Sequence, residues 1–240
     1  MHLILSMSIM YNCAMKNFIF DFYNTLVSIH TEEHDPESWR GAVGFLAERG
    51  IKSDPETLIK LYDERWAEHI SDLEQTSKYA YPEGDIKKVY KSMVTALGGT
   101  LSDSAAAACA VLARRQSIRR LELFGGTVEL LNALKARGCK LYILSNAQSV
   151  FTVGELEQSG VVDMFDGVLL SSDYGCRKPD PAFFDFLFKK FKLKKPESVM
   201  IGDDPNSDGK GAQNYGIAYV MADGGAAAHS RQILALTEKD

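Results

Sequence analysis

The chain predicts an α/β fold: a parallel sheet formed from two separated stretches of sequence, with a helical domain inserted between them. Three observations predict it. A short, wholly apolar and aromatic run near residue 20 has the look of a buried strand; strand and helix patterns alternate after Gly125-Gly126; and the intervening hundred or so residues show helical spacing only.

Asn17 to Phe22 (NFIFDF) suits a strand buried on both faces, ending at an acidic residue followed by turn formers. From about Asp35 to Arg119, apolar residues recur at helical intervals in Pro36 to Arg49, Pro55 to Leu73, Gly84 to Leu97 and Ser102 to Ile118, several opening on Asp, Ser or Pro. This block reads as four helices with no strand. The alternating part reads as helix Thr127 to Arg137, strand Lys140 to Ser145, helix Ser149 to Ser159, strand Gly167 to Leu170 and helix Pro181 to Phe191. It closes with strand Ser198 to Ile201, helix Asp208 to Tyr215, strand Ile217 to Val220, a Gly224-Gly225 joint and a short helix over Ser230 to Leu236. Residues 1–30 and 120–240 are therefore expected to form one α/β unit, and 31–119 the insert.

Composition narrows the function classes. The 240 residues are 45% hydrophobic and 25% charged, with 27 Lys and Arg against 32 Asp and Glu for a formal net charge of −5. No basic cluster exceeds pairs such as Arg114-Arg115, so nucleic acid is not an expected partner. Cys13, Cys109, Cys139 and Cys176 are scattered, without the spacing of a zinc site or disulfide framework. Met1 to Met15 is apolar but lacks a basic n-region and a cleavage site and is too short to span a bilayer. Met1 to Ala14 is expected to be an extension that adds little to the fold, and the protein is expected to be cytoplasmic, without a membrane partner.

Open α/β sheets bind ligands at the carboxyl ends of their strands. Those ends carry Asp21, Ser145-Asn146 and Gly202-Asp203-Asp204 with Asp208 beyond, while Lys178 follows the Gly167 to Leu170 strand on a loop. Carboxylates gathered at one edge repel unless a cation lies among them, and hard oxygen ligands suit Mg²⁺. A lysine and a hydroxyl there suit phosphate oxygens, and an ionised aspartate can attack phosphorus in line. Taken singly, each residue has a plainer reading: Asp21 a turn residue, Ser145-Asn146 a helix cap, Lys178 a solvated lysine, Asp203, Asp204 and Asp208 a helix cap cluster. Their joint order outweighs these.

The run Asp21-Phe-Tyr-Asn-Thr25-Leu26, then Ser145-Asn146, Lys178-Pro179 and Gly202-Asp203-Asp204-Pro-Asn-Ser-Asp208, resembles the four ordered motifs of the haloacid dehalogenase superfamily. The resemblance implies a Rossmann-like core with a helical cap of the C1 type. It further implies Asp21 as nucleophile, Thr25 ordering the loop behind it, and Ser145, Asn146 and Lys178 at the phosphoryl group. Mg²⁺ would be held by Asp21, the carbonyl of Tyr23 and Asp203, with Asp204 or Asp208 close by. The implied reaction is hydrolysis of a small phosphorylated metabolite. One residue departs from the phosphatase pattern: Tyr23 stands where an acid–base Asp is usual. Tyrosine there also resembles the 2-haloacid dehalogenase branch, so dehalogenation is the rival reading, and a weakly catalytic binding protein the third. Trp39, Arg40 and Tyr81 are insert residues that could face the site. The sequence carries no signal for the oligomeric state.

Overall fold

A computed structural model describes residues 14–238, so the expectation for the first segment falls almost wholly outside the described residues. Its sheet has five parallel strands: β1 (Asn17–Phe20), β4 (Lys140–Ser145), β5 (Gly167–Leu170), β6 (Ser198–Gly202) and β7 (Ala218–Met221). Their spatial order is β5-β4-β1-β6-β7, which puts β1 at the centre with β4 and β6 on either side. In between, β2 (Val27–Thr31) and β3 (Ile118–Leu123) pair antiparallel as a separate ribbon.

The central strands explain why their sequences read as continuous apolar runs. Phe18 and Phe20, Leu141 and Ile143, and Val199 and Ile201 point to one face of the sheet, where Leu130, Leu131 and Leu134 of α5 (Thr127–Ala136) join them. Ile19, Tyr142, Leu144 and Met200 point to the other, against Phe183, Phe184, Leu187 and Phe188 of α7 (Pro181–Phe191). With both faces covered, strict alternation of side chains leaves no polar side.

The insert packs around its own core of Trp39, Leu46, Leu58, Val89, Met93 and Cys109. It consists of a 3₁₀ turn (Pro36–Trp39) and α1 (Arg40–Ala47), α2 (Pro55–Thr76), α3 (Ile86–Ala96) and α4 (Asp103–Ser117). The start signals act as caps: the side chains of Asp54, Asp85 and Ser102 accept from the backbone N–H groups of Thr57, Lys87 and Ala105. No helix of the described residues is long and apolar enough to cross a membrane.

Two expectations are corrected. The segments joining insert to core carry strands that the sequence reading did not assign. They pair as the β2–β3 ribbon, and β3 starts at Ile118, inside the stretch read as strand-free. The Gly224-Gly225 stretch is not a loose joint, since Ala226 is buried and donates its N–H to the Thr25 carbonyl at 2.8 Å. Gly225 has φ +95° and lies where a Cβ would strike the Phe124 ring at 2.5 Å, which restricts the position to glycine.

Candidate active site

Asp21 leaves the centre of the sheet with its N–H bonded to the Ile201 carbonyl of β6 at 2.9 Å, so its position is tied to the strand beside it. The chain then turns sharply. Leu26 and Val27 donate to the Phe22 carbonyl, and Asn24 takes φ +56°, a conformation Asn tolerates better than most residues. Thr25, fully buried, donates its hydroxyl to Asp203 Oδ1 at 3.0 Å and fixes that carboxylate from the loop after Asp21.

Ser145 ends β4, and its buried Oγ makes no hydrogen bond among the described residues. Asn146 does not cap the following helix. Its amide brackets Lys178, donating to the Lys178 carbonyl at 3.0 Å and accepting from the Lys178 N–H at 2.7 Å. Lys178 is thereby aimed into the sheet edge, where its Nζ lies 3.0 Å from Asp21 Oδ1 and 2.6 Å from Asp208 Oδ1. Asp208 approaches β6 so closely that a Cβ on Gly202 would fall 2.1 Å from its carboxylate, so only glycine fits there.

Asp21, Asp203 and Asp208 each offer a carboxylate oxygen within 4.8 Å of the others. Asp204 does not join this group. Its Oδ1 accepts from the Asn206 N–H at 2.8 Å and caps the wide helical turn Pro205–Gly209, the role the plainer reading gave it. Three carboxylates face a single ammonium. Burial, then Asp21, raises Asp203 above the usual carboxylate range, and burial pushes Asp208 up to about 7 against the pull of Lys178. Burial would lower the Lys178 ammonium, but Asp208 and Asp21 outweigh it and hold the group charged. The donor set is all hard oxygen, with more carboxylates than the one ammonium can offset, which fits a divalent cation such as Mg²⁺. Ser145 Oγ, buried and uncommitted, fits an oxygen of a phosphoryl group.

Tyr23 turns its ring away from this cluster. Its hydroxyl donates to Glu155 Oε2 at 2.6 Å and, its proton so used, accepts from Thr152 Oγ1 at 2.9 Å, both on α6 (Ser149–Ser159). Burial and the Glu155 carboxylate raise this phenol above its ordinary value. Glu155 is itself held by Arg114 of α4, with Nε to Oε1 at 2.7 Å and Nη2 to Oε2 at 3.1 Å, and Arg114 also reaches Glu33. None of these partners was signalled by the sequence, because 41 and 132 residues separate Glu155 from Arg114 and Tyr23.

A cavity of about 380 Å³ opens beside Tyr23 between insert and core. Asn146, Gln148, Glu83, Arg114 and Arg177 supply its polar lining. Neither Trp39 nor Arg40 lines it: Trp39 is buried in the insert core, and Arg40 pairs with Glu37. Tyr81 docks by its backbone instead, accepting from the Arg177 N–H at 3.0 Å and donating its own N–H to Asp180.

Comparison with known proteins identifies the family. A family model described as haloacid dehalogenase-like hydrolase matches residues 15–216. The chain is 25% identical over 206 residues to a glyceraldehyde 3-phosphate phosphatase of Methanocaldococcus jannaschii, covering 86% of this chain and 84% of that one. It is 29% identical over 161 residues to a phosphoserine phosphatase of Thermus thermophilus, covering 67% and 63%. Among solved structures, a 2-haloacid dehalogenase from Pseudomonas syringae superposes with TM-score 0.58 at 22% identity, covering 87% and 86% of the two chains. An HAD phosphatase from Thermococcus onnurineus gives 0.54 at 18% identity, covering 94% and 100%. The family model spans well over half of the chain, and the chain belongs to the haloacid dehalogenase-like hydrolases.

Proposed function

We propose that the protein is a Mg²⁺-dependent phosphatase of small phosphorylated metabolites that works through an aspartyl phosphate on Asp21. The observation that carries this reading is the cluster of Asp21, Asp203 and Asp208 with the Lys178 ammonium between two of them. Asp21, Asp203, Asp208 and the Tyr23 carbonyl would hold the ion, with Asp204 at most through water. The ion would offset charge on the phosphoryl oxygens.

The Asp21 carboxylate attacks phosphorus, the P–O bond to the leaving alcohol breaks, and water later cleaves the aspartyl phosphate to release phosphate and regenerate the carboxylate. Lys178 and the Ser145 hydroxyl hold the transferring group, and Thr25 keeps Asp203 in place. The leaving alkoxide takes its proton from water. Tyr23 is a poor source because its proton is committed to Glu155. The helical insert, closing over the cavity, would serve as the cap that excludes water and selects substrate.

The relatives named as phosphatases support this reading. The test compares p-nitrophenyl phosphate, with and without Mg²⁺, against chloride release from 2-chloropropionate, using the wild type and Asp21→Asn. Mg²⁺-dependent release of nitrophenol that disappears in Asp21→Asn is expected. Chloride release without metal, and no phosphate release, would replace this reading by dehalogenation.

A further inference from the structure

Two charged side chains line the cavity beside the nucleophile loop without an ion-pair partner among the described residues: Glu83, from the insert, and Arg177, from the core. They come from facing backbone segments. Pro82 and Cys176 form an antiparallel bridge, the Arg177 N–H donates to the Tyr81 carbonyl, and the Glu83 N–H donates to the Gly175 carbonyl at 3.1 Å. This short ladder seats Glu83 and Arg177 at one wall of the cavity. Arg177 immediately precedes Lys178, whose ammonium reaches Asp21. Tyr23, two residues after Asp21, and Asn146, whose amide brackets Lys178, line the same cavity.

Glu83 is held firmly. Its Oε2 accepts from the Ser171 hydroxyl at 2.5 Å, and its Oε1 accepts from the Gly84 N–H at 3.0 Å and from Gln148 Nε2 at 3.2 Å. All three donors are neutral and orient the carboxylate; burial raises this carboxyl above its ordinary value, and the Ser171 hydroxyl and the nearby Arg177 charge pull it back. Arg177 is exposed, and its guanidinium makes no side-chain hydrogen bond among the described residues. A half-buried carboxylate and an open guanidinium on one wall set a charge pattern for whatever fills the cavity.

We propose that Glu83 and Arg177 form a leaving-group subsite for a zwitterion, so that the substrate is the phosphomonoester of a small alcohol bearing one ammonium and one carboxylate group. This rests on the phosphatase reading above. Glu83 would take the ammonium and Arg177 the carboxylate, while Lys178 and Ser145 take the phosphoryl group at the far end. Other metabolite classes match less well. A leaving group with only a carboxylate meets repulsion from Glu83, one with only an ammonium meets repulsion from Arg177, and a polyol brings no charge to either.

The experiment measures kcat/KM for O-phosphoserine, 3-phosphoglycerate, phosphoethanolamine, ribose 5-phosphate and p-nitrophenyl phosphate with Mg²⁺, in the wild type, Glu83→Gln and Arg177→Gln. Calorimetry of O-phosphoserine binding to Asp21→Asn separates recognition from turnover. The wild type is expected to favour O-phosphoserine about tenfold or more over each other metabolite, and Asp21→Asn to bind it. Glu83→Gln should lower the phosphoserine-to-phosphoglycerate ratio at least about tenfold, and Arg177→Gln the phosphoserine-to-phosphoethanolamine ratio by a similar factor. A variant that lost activity on all five compounds equally would show a merely structural role and overturn the subsite, as would equal or better turnover of ribose 5-phosphate. If nitrophenyl phosphate is hydrolysed without any preference among the metabolites, the subsite fails and the phosphatase reading stands. If no phosphomonoester is hydrolysed, both fail.

Discussion

At the scale of single residues, position 23 decides how fast the proposed chemistry can run. Its hydroxyl is spent on Glu155 and Thr152, and its ring lies against Phe22, with centroids 4.9 Å apart. A positioned acid–base group is worth roughly 10²–10⁴-fold. Tyr23→Asp is therefore expected to raise kcat on alkyl phosphates at least about tenfold, and to raise it less on aryl phosphates, whose leaving groups need no proton. Burying a second carboxylate beside Glu155 works against that gain, so Tyr23→Asp with Glu155→Gln should do better than Tyr23→Asp alone. Steady-state rates on a series of phosphates of graded leaving-group pKa check this. If both variants fold and neither gains on the alkyl esters, proton supply is not what limits the site.

At the scale of elements, insert and core are clamped from two sides. The 81–83 segment zips to 175–177, and Arg114 of α4 reaches Glu155 of α6. Arg114 and Glu155 are 11% and 7% exposed, so the pair is out of water and its partners depend on each other. Arg114→Met should cost about 3–5 kcal/mol, because it strands a buried carboxylate, whereas Arg114→Met with Glu155→Leu should recover much of the loss. Urea denaturation of the two variants tests this, and an additive double variant would refute the coupling. The same elements show what sequence could and could not reveal. Lys140–Ser145 and Pro181–Phe191 were readable to the residue because local signals set their ends, a buried apolar run in one and an Asp-Pro start in the other. The β2–β3 ribbon was not. Its exposed faces carry His30, Arg119, Arg120 and Glu122, and its pairing joins residues about ninety positions apart. In the site, strand ends and motif order pointed to Asp21, Ser145, Lys178 and Asp203. Glu83, Arg114, Glu155 and Arg177 matter only through the tertiary packing that brings them together.

At the scale of the molecule, the acidic cluster sits where the three central strands β4, β1 and β6 end together, so its charge balance bears on the stability of the whole sheet. Asp208 moves from an ordinary value of 3.8 up to about 7 on folding. Between those values the folded chain keeps a proton that the unfolded chain has released. Unfolding therefore becomes easier as pH rises from about 4 to about 7 and levels off above that. A divalent ion among Asp21, Asp203 and Asp208 would reverse the trend, since it favours the ionised carboxylates and expels that proton. Melting temperature measured with EDTA should then fall between pH 5 and pH 8. Adding MgCl₂ should raise it, more at pH 8 than at pH 5, with a stabilisation of about 2.7 kcal/mol when the ion is present at about 100 times its dissociation constant. Asp208→Asn should flatten the pH dependence without metal, and Asp203→Asn should weaken the response to Mg²⁺. A melting temperature that ignores MgCl₂ at both pH values would mean that the three carboxylates do not bind the ion, and would remove the metal from the proposed mechanism.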